Sequence, residues 1–310
     1  MIRAPDCIEI ASGLQFPEGP VWCSDASILL VEIRTGVVTR IGPDGDRRTV
    51  AICGGGPNGL AVGPDRKAYV CNNGGFEWRS SRGRFYPGHQ AERYVSGSIQ
   101  RIDPVTGDVE TLHTQASGGE RLRGPNDIVF DASGGYWFTD LGKSRPRERD
   151  ITGVFYAASP DSAPVETIFP LEGGPNGIGL SPDGSRLYVA ETYTGRLFFW
   201  ELDGPGKIRP NPRSTNGGYY LGCAENGAAF DSLAVDSRGA VCVATPGRDG
   251  GVTVFFPDGA KRLIAMDDPM TTNICFGGPD LQTAFITLSL SGRLVAMPWD
   301  APGHRLAFSL

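Results

Sequence analysis

Three resources are scarce in this chain, and each scarcity removes a class of function. Histidine occurs only as His89, His113 and His304, never in HExxH or HxH spacing, so a histidine-built metalloprotease site is excluded. Cysteine occurs seven times, and no two cysteines have CxxC or CxxH spacing, which leaves no zinc-finger or dithiol pattern. The cysteines read as reduced, buried thiols within apolar strands, as at Cys242 in AVCVAT and Cys275 in NICF. Long apolar runs are missing: nothing approaches the roughly 18 to 20 residues of a membrane span. The opening MIRAPDCIEI lacks the charged-then-apolar order of a signal peptide. A cytoplasmic protein is expected.

Basic charge is also short. Lys and Arg total 29 against 35 Asp and Glu, a net charge of −6. A duplex-binding surface needs basic stripes that displace counterions. The longest basic cluster, Lys143 to Arg149 (KSRPRER), is broken by Pro146 and Glu148 and reads as a solvated loop. The expected partner is a small-molecule substrate, with no nucleic acid and no membrane. The expected assembly is a monomer or small homo-oligomer.

Glycine (44) and proline (24) are abundant, yet 40% of residues are apolar, so turns are plentiful and a core is affordable. The turns recur with a pattern. GGPNGLAVGPDRKAYVCNN (55–73), GPNDIVFDASGGYWFTD (124–140) and GGPNGIGLSPDGSRLYVAET (173–192) each give a Gly-Pro entry, an Asn, an alternating strand, a turn and a second strand. Weaker copies are FPEGPVWCSDASILLVEI, AAFDSLAVDSRGAVCVAT and MTTNICFGGPDLQTAFITLS. Most copies continue into a third strand opened by Gly, as in GVFYA and GRLFFWEL.

Self-similar units of this size, made of three or four strands, predict propeller blades. A β-sandwich would not require repeated hairpins, and nothing reads as a long amphipathic helix. The fold class is therefore all-β, a single six-bladed β-propeller domain over 1–310. Cys7 to Ala11 (CIEIA) is read as an outer strand that closes the ring against the last blade.

Equivalent positions in a propeller repeat meet around one axis. Glu18, Asn58, Asn126, Asn176, Asp231 and Asn273 head the six inner strands, so they should converge at one tunnel mouth. One Glu, one Asp and several amide oxygens form a hard-oxygen set suited to Ca²⁺, Mg²⁺ or Mn²⁺. Without a cation, the two carboxylates would repel and be costly to desolvate. The competing reading makes these residues turn caps, like Asp44, Asp183 and Asp258. Those three, however, lie in PDG turns between strands, not at strand starts after Gly-Pro.

FPEGPVW, GPNDIVFD, GGPNGIGLSPDG and FDSLAVDSRG, in this order from Phe16 to about Pro298, resemble the motifs of the senescence-marker-protein, gluconolactonase and luciferin-regenerating-enzyme family of six-bladed propellers. The resemblance implies one divalent metal ion held by Glu18, Asn126, Asn176 and Asp231, with Ca²⁺ first and Mg²⁺, Mn²⁺ or Zn²⁺ as alternatives. It also implies hydrolysis of a lactone. Asp231 is the candidate general base, and Asn58 and Asn273 are pocket-lining residues. Family members acting on sugar lactones often carry Arg two residues before the third-blade Asn. Here Arg123 lies three residues back and is the candidate substrate contact.

The insertion from Gly74 to Ser96, rich in aromatic and Arg residues, is read either as a cover over the mouth that favours a flatter, more apolar lactone or as an ordinary surface excursion. Asp140 and Glu191 end second strands and are read either as strand-end residues or as residues behind the ligands. With no GxSxG elbow and no suitably spaced His, serine-hydrolase chemistry is disfavoured. The rival functions are a phosphotriesterase or aryl esterase on the same site, and a metal-stabilised binding propeller without chemistry.

Overall fold

Short β-rich segments separated by tight turns can bury their backbone groups only by pairing with their neighbours, and this chain does so six times over. The computed structural model describes residues 2–3 and 7–310, which form 28 strands and, among the described residues, no helix. Six antiparallel sheets follow one another along the chain. Their innermost strands are Pro17–Trp22, Pro57–Val62, Pro125–Phe130, Pro175–Leu180, Leu233–Val235 and Thr271–Gly277, numbered here as blades 1 to 6. Each inner strand touches the inner strands of both neighbouring blades, and that of blade 6 returns to blade 1. The result is a six-bladed β-propeller.

Inner strands are buried on both faces, so they read as near-continuous apolar runs. Outer strands such as Arg47–Ile52 are mostly exposed. The core is divided accordingly into six apolar layers, one between each pair of adjacent blades. Trp137 and Trp200, for example, lie fully buried between blades 3 and 4. Each buried large side chain contributes about 1.5–3 kcal/mol.

Ring closure follows the sequence expectation. Ile8–Ala11 pairs antiparallel with Arg293–Pro298, so the start and the end of the chain share blade 6. Ile2–Arg3 adds a parallel edge strand to Lys261–Ala265 of blade 5, which the sequence pattern did not announce.

Two expectations need correction. Lys143 does not belong to a solvated loop, because its side chain is 1% exposed. The apolar surroundings supplied by the Gly74–Ser96 insertion enclose it, and they lie far away in sequence. The thiols are not uniformly buried either. Cys23, Cys71 and Cys242 are; Cys53, Cys223 and Cys275 are half-buried, and Cys7, on the approach to the closing strand, is exposed.

Candidate metal centre

The geometry of the ring is set by an irregularity shared between blades. In blades 1 to 4 the pairing of inner and second strands slips directly after the strand start. Pro57 faces Asn72 but Leu60 faces Val70; Pro125 faces Asp140 but Ile128 faces Phe138; Pro175 faces Glu191 but Ile178 faces Val189; and Glu18 faces Val31 but Val21 faces Leu29. Each inner strand therefore carries one extra residue. Such a bulge re-aims side chains locally, here toward the axis. Blade 6 slips in the same way between Thr271 and Asn273.

Glycine then lets the blades close up. A Cβ added to Gly59 would lie 2.5 Å from the Asn126 carbonyl oxygen, and one on Gly177 would lie 2.5 Å from that of Asp231. No side chain fits there, so adjacent strand starts are pressed together.

Second-strand ends fix the entry turns from behind. Asp140 accepts hydrogen bonds from the backbone N–H groups of Arg123 (2.7 Å), Gly124 (2.7 Å) and Gly142 (2.9 Å). Asn72 accepts from Gly56 N (2.9 Å) and Gly74 N (3.0 Å), and Glu32 from Gln15 N (2.7 Å). Glu191 accepts from Thr194 Oγ1 and lies against Gly173. Asp140 and Glu191 thus organise the loops that carry Asn126 and Asn176.

The six strand starts adjoin one another around the ring. Glu18 is buried; its Oε2 accepts from Gly19 N (2.8 Å) and from Asn273 Nδ2 across the ring closure (2.6 Å). Asn273 spends its own Oδ1 on Ile274 N (2.7 Å), so it holds Glu18 in place. Asn176 donates to Thr192 Oγ1 (2.9 Å) and lies close enough to Asp231 to favour its charged form. Asn58 and Asn126 are buried, while Asp231 is only partly so. Arg123 is exposed on the entry turn of blade 3, its backbone tied to Asp140. None of the three histidines joins this ring: His89 lies in the insertion, His113 ends an outer strand, and His304 lines the far end of the tunnel.

Three buried oxygens from three blades accept no hydrogen bond from the protein: Glu18 Oε1, Asn126 Oδ1 and Asn176 Oδ1. Buried acceptors are rarely left unpaired, and an unmade bond costs about 1–3 kcal/mol each. Together with Asp231 they form a donor set of two carboxylates and two amide oxygens, which fits a hard divalent cation. Among the described residues no three His, Cys, Asp or Glu side chains group closely enough to bind a metal alone, so a cation at this ring would draw on the amide oxygens as well.

The electrostatics agree. Burial pushes the Glu18 carboxyl up. Burial, and then the Glu18 charge, push Asp231 well up. Asp127 is raised to about 7 by the same two causes. Mutually repelling buried carboxyls retain protons unless a cation compensates them.

Asp127 is the residue that sequence reasoning missed. It follows Asn126 and occupies the place held by Gly19, Gly59 and Gly177 in three other blades, an anomaly visible in the repeat itself. Its carboxylate accepts from Ile128 N (3.0 Å) and Ile178 N (3.4 Å). From Asp127 and Asn273 a cavity of about 1000 Å³ runs down the tunnel to residues 304–309.

Comparison with known proteins places this geometry in context. The model of the SMP-30/gluconolactonase/LRE-like region matches residues 16–290. The gluconolactonase of Zymomonas mobilis is 29% identical over 307 residues, spanning 90% of this chain and 78% of that protein. A solved gluconolactonase from Xanthomonas campestris superposes with a TM-score of 0.74 at 21% identity, covering 96% of this chain and 91% of that one. A calcium-binding protein, regucalcin, from Agrobacterium tumefaciens superposes with a TM-score of 0.69 at 18% identity, covering 94% and 95%. With the matched region running from the first inner strand into the last blade, the chain belongs to the SMP-30/gluconolactonase/LRE-like family.

Proposed function

We propose that this chain is a lactonase that depends on a divalent cation held by Glu18, Asn126, Asn176 and Asp231. The observation that carries the reading is the trio of unpartnered buried oxygens from three blades, with the buried Asp231 carboxyl on a fourth. When bound, the cation supplies Lewis-acid polarisation of the substrate carbonyl. The similarity to a calcium-binding propeller and the all-oxygen donor set favour Ca²⁺.

The residues then divide the work. Asp231 takes a proton from the attacking water. The water oxygen bonds to the carbonyl carbon, the ring C–O bond breaks, and Asp231 returns the proton to the departing alkoxide. A hydroxy acid results. Glu18 is clamped by Gly19 N and Asn273 and serves as a fixed ligand. Asn58 and Arg123, on neighbouring blades, contact the substrate. The Gly74–Ser96 insertion carries Phe76, Trp78, Phe85, Tyr86 and Tyr94, an aromatic set that favours an alkyl or aryl lactone over a polyol.

The test is a panel of aliphatic, aromatic and sugar lactones with one phosphotriester, assayed on cation-loaded and chelator-stripped protein. Loaded protein should open lactones, and Asp231→Asn should lower turnover by about 10²–10⁴-fold. Equal rates after stripping, or no lactone opened at any cation concentration, would refute the reading.

A further inference from the structure

Charge is unevenly spread around the mouth. Second strands end and inner strands begin at the ring, so the segments that leave the one and lead into the other border it. On the side of blades 2 and 3 these are 74–96, 114–124 and 141–151. They carry ten basic residues and five acidic ones, in a chain whose net charge is −6. On the opposite side, 224–230, 246–250 and 266–270 carry one basic residue and four acidic ones. One edge of the mouth is therefore positive and the facing edge negative.

Two of the positive groups stand at turns that carry ring residues. Arg123 precedes Asn126 by three positions. Its N donates to Asp140 (2.7 Å) and its O accepts from Tyr94 Oη (2.6 Å), so an exposed guanidinium grows from a fixed root. The Arg149 guanidinium, also exposed, lies 4.4 Å from the centre of the Tyr193 ring and donates from Nη2 to Glu172 O (2.9 Å). Tyr193 is held by Ser144 Oγ (2.9 Å) and by its own N to Gly173 O (2.9 Å), while its neighbour Thr192 accepts from Asn176. Arg149 is thus tied to the entry turn of Asn176. Neither guanidinium has an ion-pair partner among the described residues. Glu191 feels the Arg149 charge from beyond that distance and is engaged by Thr194. Of the five donors on each guanidinium, Arg149 spends one inside the protein and Arg123 none.

We propose that the blade 2 and 3 edge of the mouth is a carboxylate-binding subsite built on Arg123 and Arg149, so that the lactone opened at the ring carries a carboxylate. The identity of the ligand as a lactone rests on the lactonase reading; the anion subsite does not. The guanidinium fork matches the two oxygens of a carboxylate. The positive edge concentrates anions and the acidic edge opposite repels them, which orients the ligand across the mouth. A carboxylate with no other partner would compete with the ester carbonyl for the ring cation. The two arginines give it a separate seat and leave the carbonyl to the ring.

The subsite is tested without turnover, on Ca²⁺-loaded protein at low ionic strength. The probes are the carboxylate and the carboxamide of tetrahydrofuran, which differ in charge and have no ring ester to open. In titrations followed by ligand NMR the carboxylate should bind about tenfold more tightly than the amide. Replacing both arginines, Arg123→Gln with Arg149→Gln, should remove most of that preference. Equal binding of the two probes to the unmodified protein would overturn the proposal. So would a preference that survives in the double variant, the mark of a carboxylate seated on the cation itself. A second arm compares turnover of γ-butyrolactone bearing a γ-carboxylate with that of its amide, and kcat/KM should show the same preference. If neither lactone opens while the arginine-dependent preference in binding holds, the lactonase reading fails and the anion subsite stands.

Discussion

Replacing Glu18 by Gln separates the two roles of this residue, because the predicted effects have opposite signs. The Gln oxygen can take the position of Oε2 and keep the bonds from Gly19 N and Asn273 Nδ2. Its amino group then occupies the position of Oε1, the unpartnered oxygen, and turns two N–H donors toward the cation. Without cation, the substitution removes a buried charge that raises both Asp231 and Asp127. Exchanging a poorly compensated buried charge for a neutral isostere is neutral or stabilising by about 1–2 kcal/mol. With cation, the loss is large. Two unit charges 4 Å apart attract by about 4 kcal/mol at an effective dielectric near 20, and a dication doubles this. If the dipole and desolvation offset half, about 4 kcal/mol remains, roughly 10³-fold in affinity.

The assay is thermal unfolding with and without Ca²⁺. At 100 times its dissociation constant a ligand stabilises by about 2.7 kcal/mol, which for a domain of this size is roughly 5 °C. The unmodified protein should show that rise. Glu18→Gln should start level or slightly higher and show none. A variant that keeps the full Ca²⁺-induced rise would refute the assignment of Glu18.

Asn273→Ala removes the donor that fixes Glu18 Oε2 and should weaken cation affinity by about 10–100-fold, measured by calorimetric titration. Gly59→Ala forces a methyl against the Asn126 carbonyl at 2.5 Å and should cost about 1–3 kcal/mol in denaturant unfolding. Cation binding should release protons, because the raised carboxyls of Glu18 and Asp231 must ionise to act as ligands. Cation affinity is then present at higher pH and lost as pH falls, and binding enthalpy should vary with the ionisation enthalpy of the buffer.

Much of the architecture was legible because hairpins leave a period-2 trace that survives divergence, and because six traces in series admit few folds. The strand-start residues stood out for the same reason: each heads a copy of the repeat. Legibility stopped where contacts cross between blades. Nothing local in MTTNICF says that Asn273 donates to Glu18 at the opposite end of the chain. The bulges that aim the ring are backbone events without a residue signature beyond the glycine that follows Glu18, Asn58 and Asn176. Asp127 was readable only as a carboxylate in the place that glycine fills in blades 1, 2 and 4. Lys143 sat in a charged run whose local sequence implies solvent, and only the distant insertion Gly74–Ser96 removes it from water.

Diffraction tests most directly whether chain-distant oxygens enclose one cation. Crystals grown with Ca²⁺ and measured for anomalous scattering should show a single strong peak. It should lie about 2.3–2.6 Å from oxygens of Glu18, Asn126, Asn176 and Asp231. A cation bound elsewhere, or none at this ring in saturating Ca²⁺, would contradict it.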